Sequence, residues 1–138
     1  DGENKMSKSY GNVINFFADE KTIKKQFMGI KTDSTPLENP KDPDKDAVFK
    51  FYTYFANDNE QNLLADKYRA GGFGYGDAKK LLLEKILEHF SPFRLKREEL
   101  KNNLDYVKSV LNKGADKART VAAKTTEEVR KAVGLNLS

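Results

Sequence analysis

Residues 46–56 read DAVFKFYTYFA, and whether they coil or extend decides the class of the whole fold. Val48, Phe49, Tyr52 and Phe55 recur at helical spacing, although Phe49, Phe51 and Phe55 among polar residues also partly fit a strand. Asp46 is a good N-cap, and no other stretch offers a strand to pair with, so the segment reads as a helix.

Upstream, Asp19 caps a helix to about Ile30, with Ile23, Phe27 and Ile30 on one face and lysines on the others. Between the two lies TDSTPLENPKDPDKD, residues 32–46, rich in Pro, Asp, Ser and Thr. Short polar side chains there compete for backbone groups, so it reads as an ordered connector. Downstream, a helix from about Asn59 to Ala70 carries Leu63, Leu64, Lys67 and Tyr68 and ends at Gly71 and Gly72, where a left-handed cap meets no side chain. GGFGYGD, residues 71–77, follows a helix and lacks a Lys-Ser/Thr pair, so it fits neither nucleotide-binding glycine fingerprint. It reads as a turn, with Asp77 capping a helix of residues 77–91. That helix carries Leu82, Leu83, Ile86, Leu87 and Phe90, and Ser91 and Pro92 interrupt it by a kink or a break. Leu100, Leu104, Val107 and Leu111, then Ala115, Ala118, Ala122, Thr125, Val129 and Ala132, continue in steps of four and three. This is the seam of packed helices, with Gly114 dividing two of them. The expected fold is all-α: a loop region, residues 1–18, followed by a helical bundle, residues 19–138.

The 138 residues amount to one domain, and 38% hydrophobic with 33% charged residues describes a polar helical globule. There is no cysteine, which excludes disulfides and thiolate metal sites and permits a reducing compartment. Apolar runs reach three or four residues, against the roughly 20 of a membrane-spanning helix. The net charge of +4 is unevenly placed: residues 94–131 hold eleven Lys/Arg against six Asp/Glu, and residues 32–60 hold three against seven. A basic C-terminal third suits a polyanion, though on charge alone a solvated lysine-rich helix is the simpler account.

Catalytic constellations are sparse. One histidine, His89 beside Phe90, reads as a boundary residue, and the pairs Glu98-Glu99 and Glu127-Glu128 read as first-turn acids facing a helix dipole. Asp42, Asp44 and Asp46 alternate but lack the glycine and glutamate of a calcium loop, so no metal ligands are assigned. The N-terminal KMSKS, Lys5 to Ser9, differs. Two lysines three apart, among serines and between Gly2 and Gly11, can converge on a polyphosphate and stabilise charge on a leaving pyrophosphate. By itself the same pattern also suits a flexible lysine-rich terminus.

KMSKS is also the second signature of class I aminoacyl-tRNA synthetases. MSKSYGNVINFF, TDSTPLENPKDPD, YRAGGFGYGDAKK and GADKARTVAAKTTEEVRKAVGL, in that order, resemble the bacterial-type tryptophanyl-tRNA synthetases over essentially the whole chain. The resemblance implies a ligase that forms tryptophanyl-adenylate from tryptophan and ATP with Mg2+, then passes the tryptophanyl group to tRNA(Trp). It implies that Lys5 and Lys8 are catalytic and that Lys5, Met6, Ser7, Lys8 and Ser9 form the ATP-binding loop. It also implies that the basic helices, through Lys113, Lys117, Arg119 and Lys124, meet the tRNA. The family's N-terminal Rossmann half, with its HIGH-like motif and tryptophan pocket, has no counterpart here. We therefore expect a C-terminal fragment, inactive alone and binding no ATP tightly, of an enzyme that is cytoplasmic and homodimeric. The alternatives are a stand-alone helical RNA-binding module with a vestigial loop, and a lysine-rich bundle that binds another protein.

Overall fold

In the computed structural model, which describes residues 4–135, Asp46 caps a helix as its position suggests. One carboxylate oxygen, Oδ1, accepts the Phe49 backbone N–H at 2.8 Å and the Tyr68 hydroxyl at 3.0 Å. A single buried acceptor therefore starts one helix and holds the next. The first of these, α2 (Ala47–Thr53), stops short of residue 56 because its last acceptors find other donors. The Gln61 side-chain amide donates to the carbonyls of Thr53 and Ala56, which closes the turn. α3 (Asp58–Ala70) then opens on a capping box: Asn57 Oδ1 accepts from Glu60 N, and Glu60 Oε2 accepts from Asn57 N.

The remaining helices are α1 (Glu20–Met28), capped by Asp19 through Thr22 N, then α4 (Tyr75–Lys101) and α5 (Leu104–Ala132). No strand occurs among the described residues. The chain divides into two compact units, residues 1–94 and 95–138. In the first, α1 contributes Ile23 and Phe27 to the core, α2 contributes Val48, Phe49 and Tyr52, α3 contributes Leu64, Ala65 and Tyr68, and α4 contributes Ala78, Leu82 and Ile86. Each set recurs at three- or four-residue steps, so each helix turns one stripe inward. Lys85 of α4 pairs with Glu60 at 2.5 Å, tying α4 to the start of α3.

The connector is ordered around one lysine. Lys41, only 5% exposed, donates its ammonium to the carbonyls of Pro36, Leu37 and Asn39 at 2.9, 3.2 and 3.2 Å. It also lies 5.4 Å from the Tyr75 ring centroid. Three acceptors and an aromatic face compensate the loss of its hydration. Lys41 N–H donates to the Tyr68 carbonyl and Gly72 N–H to that of Leu37, which seats the connector on the end of α3. Tyr75 donates its hydroxyl to Asp33 at 2.6 Å and latches the other end.

Several expectations are corrected. Leu63 is exposed, and Ala65 joins Leu64 and Tyr68 in the core instead. Asp77 does not cap α4: the helix begins at Tyr75, the Gly74 carbonyl accepts from Asp77 N and Ala78 N, and the Asp77 carboxylate pairs with Lys80. α4 runs through Ser91 and Pro92 without a break. Proline deprives only the carbonyl four residues back, that of Glu88, and both residues are exposed to water. Gly114 likewise lies inside a continuous α5. The break comes at Asn102 and Asn103, where the Asn103 side chain caps α5 through Tyr106 N. Glu98 and Glu99 are therefore in the last turn of α4, and Glu127 and Glu128 are near the end of α5, where the dipole disfavours acids. Lys101, Lys96 and Lys131 offset this by pairing with Glu98, Glu99 and Glu127. α5 buries none of its residues, so its seam of Leu104, Leu111 and Val129 is not packed away.

Gly71 is required twice over: its φ is +77°, and a Cβ there would lie 2.4 Å from the Glu38 carbonyl oxygen. Gly72, at φ +73°, faces open space. Gly72→Ala should cost about 1 kcal/mol and Gly71→Ala about 2–4 kcal/mol in urea unfolding, because only the latter displaces the connector. Equal losses would show that close approach adds nothing.

The latch also predicts a pH response. The Tyr75 hydrogen bond holds Asp33 below the usual carboxylate range, while burial and then Asp33 push Tyr75 up to about 12. Asp33 thus contributes stability above its unfolded value near 3.8, which is lost as the pH falls below it. Tyr75 contributes stability below 10, which is lost as the pH rises from 10 towards about 12. Tyr75→Phe should return Asp33 towards its ordinary value by NMR titration and shallow the alkaline decline. Burial raises Tyr68 as well, so part of that decline should persist.

Candidate functional site

The KMSKS stretch folds as a small closed loop, held mainly by one side chain beyond it. Asn12 Oδ1 accepts the Ser7 backbone N–H at 2.7 Å, and Asn12 Nδ2 donates to the Lys5 carbonyl at 3.3 Å. An amide carries a donor and an acceptor on one planar group, so it can bridge both ends of a loop in a way that Asp or Leu cannot. Within the loop, Lys8–Tyr10 form a 3₁₀ turn, with Tyr10 N–H donating to the Ser7 carbonyl and Gly11 N–H to that of Lys8. Gly11 turns the chain at φ +66°. The hydroxyls of Ser7 and Ser9 are 2.7 Å apart, so one of them donates to the other.

Lys5, Met6, Lys8 and Ser9 are exposed, and Ser7 is half-buried. Among the described residues no carboxylate pairs with Lys5 or Lys8, so both ammoniums keep their donors available to an incoming anion. The structure thus brings the five predicted loop residues into one closed element. Sequence reading did not single out Asn12. The signal was the adjacent pair Gly11-Asn12, a turn glycine followed by a side chain able to bond backbone on both sides.

Beyond the loop, the strap of residues 15–18 is fastened to the helices. The Asn15 side chain accepts from Phe17 N, the Asn15 backbone N–H donates to Gln26 of α1, and Phe16 stacks on Phe90 of α4 with centroids 4.3 Å apart. His89 lies among Phe55, Phe90 and Phe93, a boundary position as expected.

The four basic residues assigned to RNA lie on α5 and are all exposed. Lys113, Lys117 and Lys124 stand four and seven residues apart, close to whole helical turns, and share a stripe. Arg119 projects from another face and pairs with Asp116 at 3.0 Å. Asp42 and Asp46 serve as caps of the Pro43–Lys45 turn and of α2. Among the described residues, no cluster of three His, Cys, Asp or Glu could hold a metal ion. No helix of the described residues is long and apolar enough to cross a membrane.

With the loop and its supports defined, comparison with known proteins assigns the class. Residues 1–91 match the family described as tRNA synthetases class I (W and Y), and the chain belongs to that family. Within it, the chain is 56% identical over 135 residues to the tryptophan–tRNA ligase of Fusobacterium nucleatum subsp. nucleatum, covering 98% of this chain and 41% of that protein. It is 50% identical to the tryptophan–tRNA ligase of Rhodopirellula baltica, over 98% of this chain and 42% of that one. The crystal structure of Campylobacter jejuni tryptophanyl-tRNA synthetase complexed with ADP and tryptophan superposes with a TM-score of 0.87 at 41% identity, covering 94% of this chain and 41% of that chain. The chain therefore spans about two-fifths of the length of these relatives.

Asn12→Ala should loosen the loop without unfolding the chain. Amide exchange at Ser7 should quicken, while global stability changes by about 1 kcal/mol or less, because the lost bonds lie at the surface. An unchanged Ser7 exchange rate would show that the loop closes without Asn12.

Proposed function

We propose that this chain is the C-terminal part of a tryptophan–tRNA ligase, with residues 1–18 as its KMSKS loop region and residues 19–138 as its tRNA-recognition region. The observation that carries this is the loop itself: a self-closed KMSKS whose two exposed lysines pair with no carboxylate among the described residues, in a chain 56% identical to a tryptophan–tRNA ligase over nearly its whole length.

In the whole enzyme the tryptophan carboxylate attacks the α-phosphorus of ATP, forming tryptophanyl-adenylate and releasing pyrophosphate. A ribose hydroxyl of the terminal adenosine of tRNA(Trp) then takes the tryptophanyl group and releases AMP. Charge grows on the departing pyrophosphate in the first step. Lys8 and Lys5 stabilise it there, while Met6, Ser7 and Ser9 shape the loop and offer backbone and hydroxyl donors. The lysine ammoniums suit phosphate oxygens and cannot ligate a metal ion, so Mg2+ would enter on the ATP phosphates as part of the substrate. The stripe of Lys113, Lys117 and Lys124 on α5 suits the RNA backbone, with Arg119 contributing from a second face.

The part of the relatives beyond the two-fifths that this chain spans should supply the wall that holds ATP and tryptophan against the loop, so the chain alone should catalyse no tryptophan-dependent ATP–pyrophosphate exchange. Joined behind the N-terminal part of the Fusobacterium nucleatum relative, it should support exchange, and Lys8→Ala should lower the rate about 10²–10³-fold. Exchange that is indifferent to Lys8→Ala, or sustained by the chain alone, would refute this reading. Charge reversal at Lys113, Lys117 and Lys124 together should weaken tRNA binding and flatten its salt dependence while sparing exchange. RNA binding that survives in a chimera without exchange activity would favour the stand-alone RNA-binding module.

A further inference from the structure

We propose that Arg94, on α4, is a positioning residue for the KMSKS loop; this rests on the reading of the loop as the phosphate-contacting element. Arg94 Nη1 donates to the backbone carbonyls of Phe16 at 2.7 Å and Ala18 at 2.8 Å. The guanidinium is half-buried, and among the described residues it pairs with no carboxylate. Its charge is spent on main-chain acceptors of a single short strap, and charge-assisted bonds of this kind are about twice as strong as neutral ones.

Four further contacts confine the same strap. Phe16 stacks nearly parallel on Phe90, which lies one helical turn before Arg94 and on the same face of α4. Asn15 N–H donates to Gln26 Oε1 of α1, and the Asn15 carbonyl and side chain accept from Ala18 N and Phe17 N. The strap is thus gripped from α1 at one end and from α4 along its length.

The loop follows with little slack. Asn12, which closes the loop onto Ser7 and Lys5, is separated from Asn15 by only Val13 and Ile14, and Ile14 is itself packed against the core. The three steps from Asn12 to Asn15 span at most about 11 Å fully extended, so the root of the loop follows the strap that Arg94 holds. Arg94 bonds the strap and not the KMSKS residues themselves. It acts by fixing where Lys5 and Lys8 begin, and a misplacement of about 1 Å at such a site costs about 10²-fold in rate.

The test pairs Arg94→Met, which keeps an apolar stem and loses every donor, with Arg94→Lys, which keeps the charge and a shorter donor. In the whole ligase, Arg94→Met should lower kcat for tryptophan-dependent ATP–pyrophosphate exchange about 10- to 100-fold, with KM for tryptophan little changed, and Arg94→Lys should recover part of the loss. In the 138-residue chain, amide exchange at Ser7, Tyr10 and Gly11 should quicken in Arg94→Met while the amides of α3 keep their protection. An unchanged kcat, or a loss accompanied by equal loosening of α3, overturns the proposal, the latter because it marks a merely structural residue. Lys8→Ala in the same enzyme separates the two levels. If Lys8→Ala abolishes exchange and Arg94→Met does not, only the role of Arg94 fails; if Lys8→Ala is silent, the reading of the loop fails and this inference with it.

Discussion

The carboxylate of Asp46 is the joint on which the first unit of the molecule turns. Its Oδ1 starts α2 at Phe49 N and takes the hydroxyl of Tyr68, a ring that is itself almost fully buried. Tyr68 in turn offers its carbonyl to Lys41, whose ammonium gathers three carbonyls of the connector. An acid, a phenol and a lysine, each costly to bury alone, thus become acceptable together because their buried polar atoms find partners. No buried side-chain nitrogen or oxygen among the described residues lacks a hydrogen-bond partner.

This rigid joint contrasts with the KMSKS loop. The loop draws its shape from local bonds made by Asn12, Gly11 and the 3₁₀ turn, and it leaves its lysines hydrated. Such a loop can hold a conformation without committing its charges. That suits an element whose anion arrives from solvent and whose interaction strengthens only when water is excluded. Its support is of a different kind: the stack on Phe90 and the two bonds from Arg94 bring in a helix that begins 66 residues beyond Ser9 in sequence. The C-terminal unit shows the opposite economy. α5 is long, basic and without a fully buried residue, held by its own i,i+3 and i,i+4 pairs and by the Asn103 cap.

Local chemistry was readable wherever the neighbours in sequence are also the partners in space. Asp19 and Asp46 cap the helices they precede, the glycines at 71 and 72 end α3, and Ile23, Phe27, Leu82 and Ile86 face inward at their expected period. The KMSKS residues and their resemblance to class I synthetases were equally visible, because a loop motif is a contiguous string. Errors came where a residue has two plausible local roles. Pro92 and Gly114 are breakers by propensity, yet on an exposed helix water meets the carbonyl that proline deprives, and glycine costs only about 1 kcal/mol. Glu98 reads as a helix start because the true break, at Asn102 and Asn103, carries neither glycine nor proline.

The caps at Asp19 and Asp46, the charge polarity of the chain and the KMSKS motif follow from the amino-acid string, since each depends on groups within a few residues of one another. Folding in three dimensions decided the rest. It chose Ala65 over Leu63 for the core, made Lys41 an interior residue, and joined Asp33 to Tyr75 and Arg94 to the strap behind the loop. Those pairings span 42 to 78 residues. Nothing local encodes them, because a guanidinium or a phenol can satisfy any carbonyl or carboxylate, and only packing determines which one it meets.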